Sequence, residues 1–372
     1  MVAARGYCDE RFAAIGELFR AGLQGGSDEG ASLAVSMRGE FVVDLWGGYS
    51  DLAHTKAWEQ DTVVRVCSTS KVIVALATLM LWDRGVLDLD EPIATYWPEF
   101  AQNGKGRVTT RQVLVHSSGL PGFGQVVSTD DAQQWDLMVS LIEQAELWYE
   151  PGTVTCYHAI TFGFILGELV RRVSERPFTQ FVAQEITEPL EADFHYSLSA
   201  PRDLARIAET RFVVDSVPDL LPMGEQVSAE IADYAVALVD TPCPALVDPG
   251  ASGISNARAL ARIGSIMALR GEVDGRRYLS ERAIEAATCE HSYAEDQLEG
   301  WVRRGLFFGL DSREYPAPSP TTVHWGGMGG SWLAMDPATG ISSAYTPNRL
   351  LIGDAQLVRQ SEQWQVLGDV LS

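Results

Sequence analysis

The amino-acid sequence, 372 residues long, predicts an α+β fold in which one antiparallel sheet is built from both ends of the chain and flanked by helices. Two observations favour this class. Alternating apolar runs typical of strands occur near both termini, and the long middle part carries apolar residues at helical spacing. At this length the chain can bury a full core, either as one large domain or as two interleaved ones.

The N-terminal elements follow from periodicity. Apolar side chains at helical spacing predict an amphipathic helix from Cys8 to Leu23. The runs Ser32–Met37 and Phe41–Trp46 flank a short glycine turn and predict a β-hairpin. A helix from Thr69 to Arg84 should follow, ended by a glycine. Because this helix is apolar on nearly every side, we expect it to be buried at the centre of the fold.

The rest of the chain continues as helices and then returns to strands. Six helices are predicted at Asp131–Ala145, Ile160–Val173, Pro177–Ile186, Pro201–Ile207, Asn256–Leu269 and Glu281–Thr288. Four strands and a last helix are predicted at Leu306–Leu310, Thr321–Trp325, Ser331–Met335, Ile341–Thr346 and Asp354–Leu371. We therefore predict an α/β domain from residues 1–88 and 290–372, and a mostly helical domain inserted between them at 89–289.

Composition narrows the function classes. The formal net charge of −22 repels phosphate backbones, so we expect no nucleic-acid partner. The longest apolar run, Val72 to Trp82, is too short to span a bilayer, and we expect no membrane partner. No secretory signal is visible at the N-terminus, which predicts a cytoplasmic location.

Cysteine and histidine patterns argue against metals and cofactors. The five cysteines are scattered without a CxxC, and the six histidines show no HExxH spacing. Neither a phosphate-binding loop nor a dinucleotide glycine pattern occurs, and no G-x-S-x-G elbow is present. We expect neither a metal site nor a cofactor.

Ser68 and Lys71 form the most informative pair. Lys71 is one of only three lysines among 28 basic residues, and it opens an apolar helix. Residues three apart lie on one helix face, so the two side chains should be neighbours. Burial and the helix N-terminus would both lower the pKa of the Lys71 amine. An uncharged amine there could accept the hydroxyl proton of Ser68.

Tyr157 and a glycine-rich strand are further candidates. Tyr157 precedes an apolar helix, and a tyrosine near a lysine could share its proton. The stretch from Val323 to Ser331 leaves its backbone open, so a main-chain N–H from it could form an oxyanion hole with the N–H of Ser68. A bulged edge strand or a tight turn explains those glycines nearly as well. A structural hydrogen bond is favoured for His116, and a pocket-lining role for His158.

An ordered set of motifs extends over nearly the whole chain. It comprises Ser68-Thr69-Ser70-Lys71, Tyr96-Trp97-Pro98-Glu99-Phe100, residues 112–121, Glu150-Pro151-Gly152, Tyr157, residues 163–172 and Gly250-Ala251-Ser252-Gly253-Ile254. With these motifs the chain resembles the serine β-lactamase/penicillin-binding superfamily, specifically the family VIII carboxylesterases and their class C β-lactamase relatives.

The resemblance implies a β-lactamase/transpeptidase-like fold with its active site in the cleft between the two predicted domains. It implies that Ser68 is the acylated nucleophile, that Lys71 is its base and that Tyr157 is the third catalytic residue. Trp325, Gly326 and Gly327 would bind substrate in the position of the K-T-G motif. The main-chain N–H of Met328 would join that of Ser68 in the oxyanion hole.

Two departures from the β-lactamases favour an esterase. Ala159 stands in place of the asparagine of Y-x-N, and Trp325 replaces the lysine of K-T-G. The predicted activity is hydrolysis of short- to medium-chain acyl esters, with a small-molecule ester as the partner and an unassigned oligomeric state. A β-lactamase, amide hydrolase or acyltransferase, and a non-hydrolytic penicillin-binding-like protein, stay open as alternatives.

Overall fold

The computed structural model describes residues 3–216, 220–240 and 246–371. The N-terminal part contains β1 (Arg5–Cys8), α1 (Ala13–Gly25), β2 (Gly30–Met37), β3 (Glu40–Gly48), β4 (Val64–Arg65) and α2 (Lys71–Asp83). The predicted hairpin is confirmed as β2 and β3. The first helix begins five residues later than predicted, because residues 5–8 pair with β3 as an edge strand.

The middle part is mostly helical, as predicted. It contains α3 (Thr110–Leu114), α4 (Thr129–Ala132), α5 (Trp135–Gln144), α6 (Thr161–Ser174), α7 (Phe178–Val182), α8 (Pro201–Leu204), β5 (Arg211–Val214), α9 (Pro222–Asp240), β6 (Ile254–Ser255), α10 (Ala257–Ala268), β7 (Glu272–Val273), β8 (Arg276–Arg277) and α11 (Glu281–Thr288). The helix predicted at Pro177–Ile186 is α7 continued by a π-helical turn, and α8 is shorter than predicted. Helix α9 was not predicted.

The C-terminal part returns to the sheet. It contains β9 (Ser292–Asp296), β10 (Gly300–Arg304), β11 (Gly309–Leu310), β12 (Val323–Gly326), β13 (Trp332–Asp336), β14 (Ile341–Pro347), β15 (Arg349–Ile352) and α12 (Asp354–Leu371). The β9–β10 hairpin was not predicted. Only the last two residues of the predicted run Leu306–Leu310 are a strand, since Phe307 has a φ of 80° and turns the chain before β11.

Within the described residues, nine strands form one sheet in the order β1-β3-β2-β14-β13-β12-β11-β10-β9, and every neighbouring pair in it is antiparallel. The two ends of the chain meet where β2 pairs with β14, with Ala34 opposite Ala344. This sheet confirms the predicted α+β fold built from both termini.

Helices cover both faces of the sheet. Alternate residues of β2, such as Leu33 and Val35, pack into a cluster with α1 and α12, whereas Ala34 joins the cluster on the other side. That other side carries α10, in which Gly264 approaches β13 and β14 closely. Helix α10 therefore covers the sheet. The sequence prediction placed it among the inserted helices, because an apolar helix face does not reveal which surface it packs against.

Helix α2 lies at the centre of the molecule. Its residues from Lys71 to Leu81 are all buried, and it packs against α6. The expected burial of this helix is confirmed, and it places the start of α2 deep in the structure. Among the described residues, none of the helices combines the length and the apolar character that a membrane span requires.

Candidate active site

Ser68 lies in a 3₁₀ turn, Cys67–Ser70, that leads directly into α2. Cys67 adopts a left-handed φ of 47°, a conformation that costs a non-glycine residue about 1–3 kcal/mol. Side-chain hydrogen bonds hold the turn against the sheet: Ser331 Oγ donates to Val66 O at 2.7 Å and lies 2.9 Å from Thr69 Oγ1. The nucleophile candidate is thus presented on a rigid, strained turn.

The Lys71 amine lies beside the Ser68 hydroxyl, as the spacing predicted. Nζ is 3.2 Å from Ser68 Oγ, and it donates to the carbonyls of Ala159 at 2.6 Å and Gly250 at 3.1 Å. Two donated bonds use both hydrogens of a neutral amine and leave its lone pair for the Ser68 O–H. The geometry therefore suits an uncharged Lys71 that accepts a proton from Ser68.

Burial favours that uncharged state. The Lys71 side chain is fully buried, and desolvation lowers the pKa of its amine to about 8. The carboxylates of Asp248 and Glu299 oppose this shift, because a negative charge stabilises the ammonium form. About a tenth of Lys71 is therefore neutral at pH 7, and about half at pH 8.

Tyr157 completes the group. Its hydroxyl is hydrogen-bonded to Ser68, and its ring centroid is 4.9 Å from Lys71 Nζ. Burial raises the pKa of this phenol well above its ordinary value of 10, so Tyr157 keeps its proton at neutral pH. The structure thus brings Ser68, Lys71 and Tyr157 together, with a serine hydroxyl between an amine and a protonated phenol.

The β9–β10 hairpin holds the Tyr157 loop in place. The Tyr157 backbone N–H donates to Asp296 Oδ1 at 3.0 Å, and Asp296 forms a buried ion pair with Arg304 at 3.2 Å. Arg304 also binds Glu299, whose side chain lines the cavity in front of Ser68. Sequence reasoning missed these three residues because the hairpin that carries them was not predicted.

The two histidines near Tyr157 are structural. His116 Nδ1 accepts from the backbone N–H of His158 at 3.2 Å, and the His116 ring packs edge-on against Tyr157. Burial holds the pKa of His116 well below 6.5, so it is neutral. This agrees with the structural hydrogen bond favoured for His116.

The described residues contain no group of three or more His, Cys, Asp or Glu side chains that could hold a metal ion.

The expected pocket-lining role of His158 is wrong. Its side chain is 0% exposed and is not among the residues that line the cavity. The ring nitrogens contact Cys156 O and Ser118 Oγ, each at 2.6 Å, which turns the ring away from Ser68 and into the core. Being next to Tyr157 in the sequence did not imply that His158 faces the same cavity, since neighbouring side chains in extended backbone point in opposite directions.

The glycine-rich stretch closes the site from the sheet side. The N–H of Gly327 donates to Ser331 O at 2.8 Å just after β12 ends, which forms a tight turn. A Cβ on Gly327 would lie 2.4 Å from Val66 O, so only glycine lets the strand approach the turn before Ser68. Trp325, Gly326, Gly327 and Met328 all line the same cavity as Ser68 and Tyr157.

The cavity in front of Ser68 measures about 570 Å³ and is mostly apolar. Helix α9 supplies one wall, and residues from the sheet, α12 and the loops around Ser68 and Tyr157 complete the lining. The apolar lining includes Ile231, Ala235, Leu238, Leu298, Leu310 and Leu357. A signal for this wall was present in the sequence, because Val227, Ile231, Tyr234 and Leu238 recur at helical spacing.

Comparison with known proteins agrees with this geometry. The beta-lactamase family matches residues 15–362 of the chain. The esterase/beta-lactamase LipL of Mycobacterium tuberculosis is 32% identical over 364 residues, which cover 93% of this chain and 83% of LipL.

Two solved structures share the whole fold. A penicillin-binding protein homolog from Caulobacter crescentus has a TM-score of 0.89 at 30% identity, covering 99% of each chain. A family VIII carboxylesterase has a TM-score of 0.86 at 30% identity, covering 98% of this chain and 99% of the other. The chain is therefore a member of the beta-lactamase family of serine hydrolases, and its fold and sequence group it with the family VIII carboxylesterases.

Proposed function

We propose that this serine hydrolase is a carboxylesterase that cleaves short- to medium-chain acyl esters through an acyl-enzyme on Ser68. One observation carries the proposal: the Ser68 hydroxyl lies 3.2 Å from a fully buried lysine amine, at the end of an apolar cavity. A buried amine with a lowered pKa is a competent base near neutral pH.

In the first step Lys71 Nζ takes the hydroxyl proton while Ser68 Oγ attacks the ester carbonyl carbon. The carbonyl oxygen becomes an oxyanion, and we propose that the N–H groups of Ser68 and Met328 donate to it. Ser68 lies in the first turn of its helix, where N–H groups lack acceptors within the helix. Met328 follows Gly327, which lies against the turn that carries Ser68, and it lines the same cavity.

In the second step the tetrahedral intermediate collapses and the bond to the alcohol oxygen breaks. Tyr157, which holds its proton, donates it to the departing alkoxide and recovers one from the Lys71 ammonium. Water then enters, gives a proton to the same pair, and attacks the acyl carbon, so the acid is released and Ser68 regains its hydrogen. Each proton that leaves Ser68 or water thus returns to the alcohol or to Ser68.

The residues that line the cavity favour esters over β-lactams as substrates. Trp325 places an apolar ring where a lysine would meet a substrate carboxylate, and Ala159 offers a methyl group where an asparagine amide would bind an acyl amide. The wall from α9 favours alkyl or aryl acyl groups. Both features weaken recognition of a charged lactam more than recognition of a neutral ester.

A panel of p-nitrophenyl esters from acetyl to decanoyl, with one chromogenic cephalosporin, tests the proposal. We expect kcat/KM for the best ester to exceed that for the cephalosporin by about 100-fold or more. Ser68→Ala should abolish all turnover, and full turnover by that variant would contradict the proposal.

A second candidate is lactam or amide hydrolysis, or acyl transfer to an alcohol. The printed name of LipL couples esterase with beta-lactamase, which favours including this activity in the panel. Cephalosporin turnover equal to ester turnover would support it. Covalent labelling of Ser68 without turnover of any ester would instead indicate a non-hydrolytic penicillin-binding-like protein.

A further inference from the structure

Asp248 is a fully buried carboxylate next to the Lys71 amine, and neither proton transfer step uses it. Its Oδ1 accepts from the Gly250 N–H and its Oδ2 accepts from the Tyr234 hydroxyl, each at 2.7 Å. Its own backbone closes a turn with Ser252, whose N–H donates to Asp248 O at 2.9 Å. The carboxylate is thus fixed at both oxygens.

The turn from Asp248 to Ser252 contacts Lys71 directly. The Gly250 carbonyl accepts from Lys71 Nζ at 3.1 Å, and a Cβ on Gly250 would lie 3.3 Å from that nitrogen. The Asp248 bond to the Gly250 N–H therefore orients a carbonyl that fixes one of the two amine hydrogens. That orientation leaves the amine lone pair directed at Ser68.

The other oxygen of Asp248 reaches the cavity wall. Tyr234 lies on α9 and lines the cavity in front of Ser68. A chain of bonds therefore runs from α9 through Asp248 and Gly250 to Lys71.

We propose that Asp248 is a positioning residue for Lys71: it holds the Gly250 carbonyl on the amine, keeps a negative charge beside it, and connects both to helix α9. The inference deepens the proposed function and rests on it, because it assumes that Lys71 is the base for Ser68.

The charged groups around Lys71 and Asp248 determine how loss of the Asp248 charge should change the pKa of the Lys71 amine. Lys71 is faced by the carboxylates of Asp248 and Glu299, the thiol of Cys67 and the ring of Tyr157. Asp248 is faced in turn by Lys71, Arg65 and the hydroxyl of Tyr234. Removing the Asp248 charge takes away the largest electrostatic effect that opposes desolvation, so the pKa of Lys71 should fall.

Asp248→Asn is the direct test, assayed with p-nitrophenyl acetate over the pH range of activity. The acid limb of kcat/KM should move down by about 1 pH unit, and the plateau should fall because the amine becomes a weaker base. The matched control is Asp336→Asn, which neutralises a buried carboxylate at the end of β13 that does not face Lys71. The acid limb of kcat/KM for Asp336→Asn should stay at the wild-type pH. If the acid limb for Asp248→Asn also stayed there, the inference would be overturned.

Tyr234→Phe keeps the test decisive if Asp248→Asn does not fold. It removes the hydroxyl that holds Oδ2 while it leaves the charge, so kcat for the acetyl ester should fall with the acid limb unchanged. An unchanged kcat would overturn the positioning role. Failure of the proposed function is seen separately, because wild-type protein would then hydrolyse no ester and Ser68 would take no acyl group.

Discussion

Replacing Lys71 by arginine separates positive charge from basicity. Arginine retains a cation at this position, but its guanidinium cannot be deprotonated in proteins. The buried Lys71 amine has a pKa of about 8, so about half of it is neutral at pH 8. Lys71→Arg therefore removes the base while it preserves the sign of the charge.

The size of the loss follows from the loss of a base. The guanidinium of an arginine at position 71 would stay protonated at pH 8, so no neutral base would be present there. General base catalysis contributes about 10²- to 10⁴-fold to a rate. We therefore expect kcat/KM for a p-nitrophenyl ester to fall by at least about 100-fold.

The assay compares Lys71→Arg with Lys56→Arg, which makes the same exchange at an exposed lysine and should keep wild-type turnover. A thermal melt on each variant shows whether the larger guanidinium disturbs the fold. A folded Lys71→Arg protein that retains more than about one-tenth of wild-type kcat/KM would refute the role of a neutral amine.

Further predictions concern pH, stability and chain length. Wild-type kcat/KM should rise with pH and reach half its plateau near pH 8, where Lys71 loses its proton, as a pH-rate profile would show. Gly264→Ala would place a Cβ 2.3 Å from Ser342 Oγ, so denaturant unfolding should show a loss of about 1–3 kcal/mol, whereas Gly25→Ala, with open space around it, should not. Ala235→Phe should lower octanoyl relative to acetyl ester kcat/KM by about tenfold, and an unchanged ratio would exclude α9 as the acyl wall.

Local sequence signals predicted much of this molecule. The alternation in Ser32–Met37 and Phe41–Trp46 was sufficient to place β2 and β3, and the apolar run after Lys71 was sufficient to bury α2. The Ser68–Lys71 contact followed from helical spacing, because residues three apart share a face in either an α-helix or a 3₁₀ turn. These features depend on neighbours in the chain.

What could not be predicted depends on distant contacts. The edge strand at Arg5–Cys8 exists because β3 offers it partners, and α10 covers the sheet because Gly264 allows close approach. The Gly250 carbonyl that Asp248 orients reaches Lys71, and Asp296 reaches the Tyr157 backbone, only in the folded chain. His158 points into the core since Cys156 and Ser118 satisfy its ring nitrogens, which no local pattern encodes.

The proposed reaction depends on a covalent bond between the acyl group of the substrate and Ser68 Oγ. Rapid acid quenching during turnover of a p-nitrophenyl ester, followed by peptide mass spectrometry, measures it directly. We expect the acyl mass on the peptide that contains Ser68 and its absence in Ser68→Ala. An acyl group on another residue, or turnover by wild-type protein without any adduct, would contradict catalysis through Ser68.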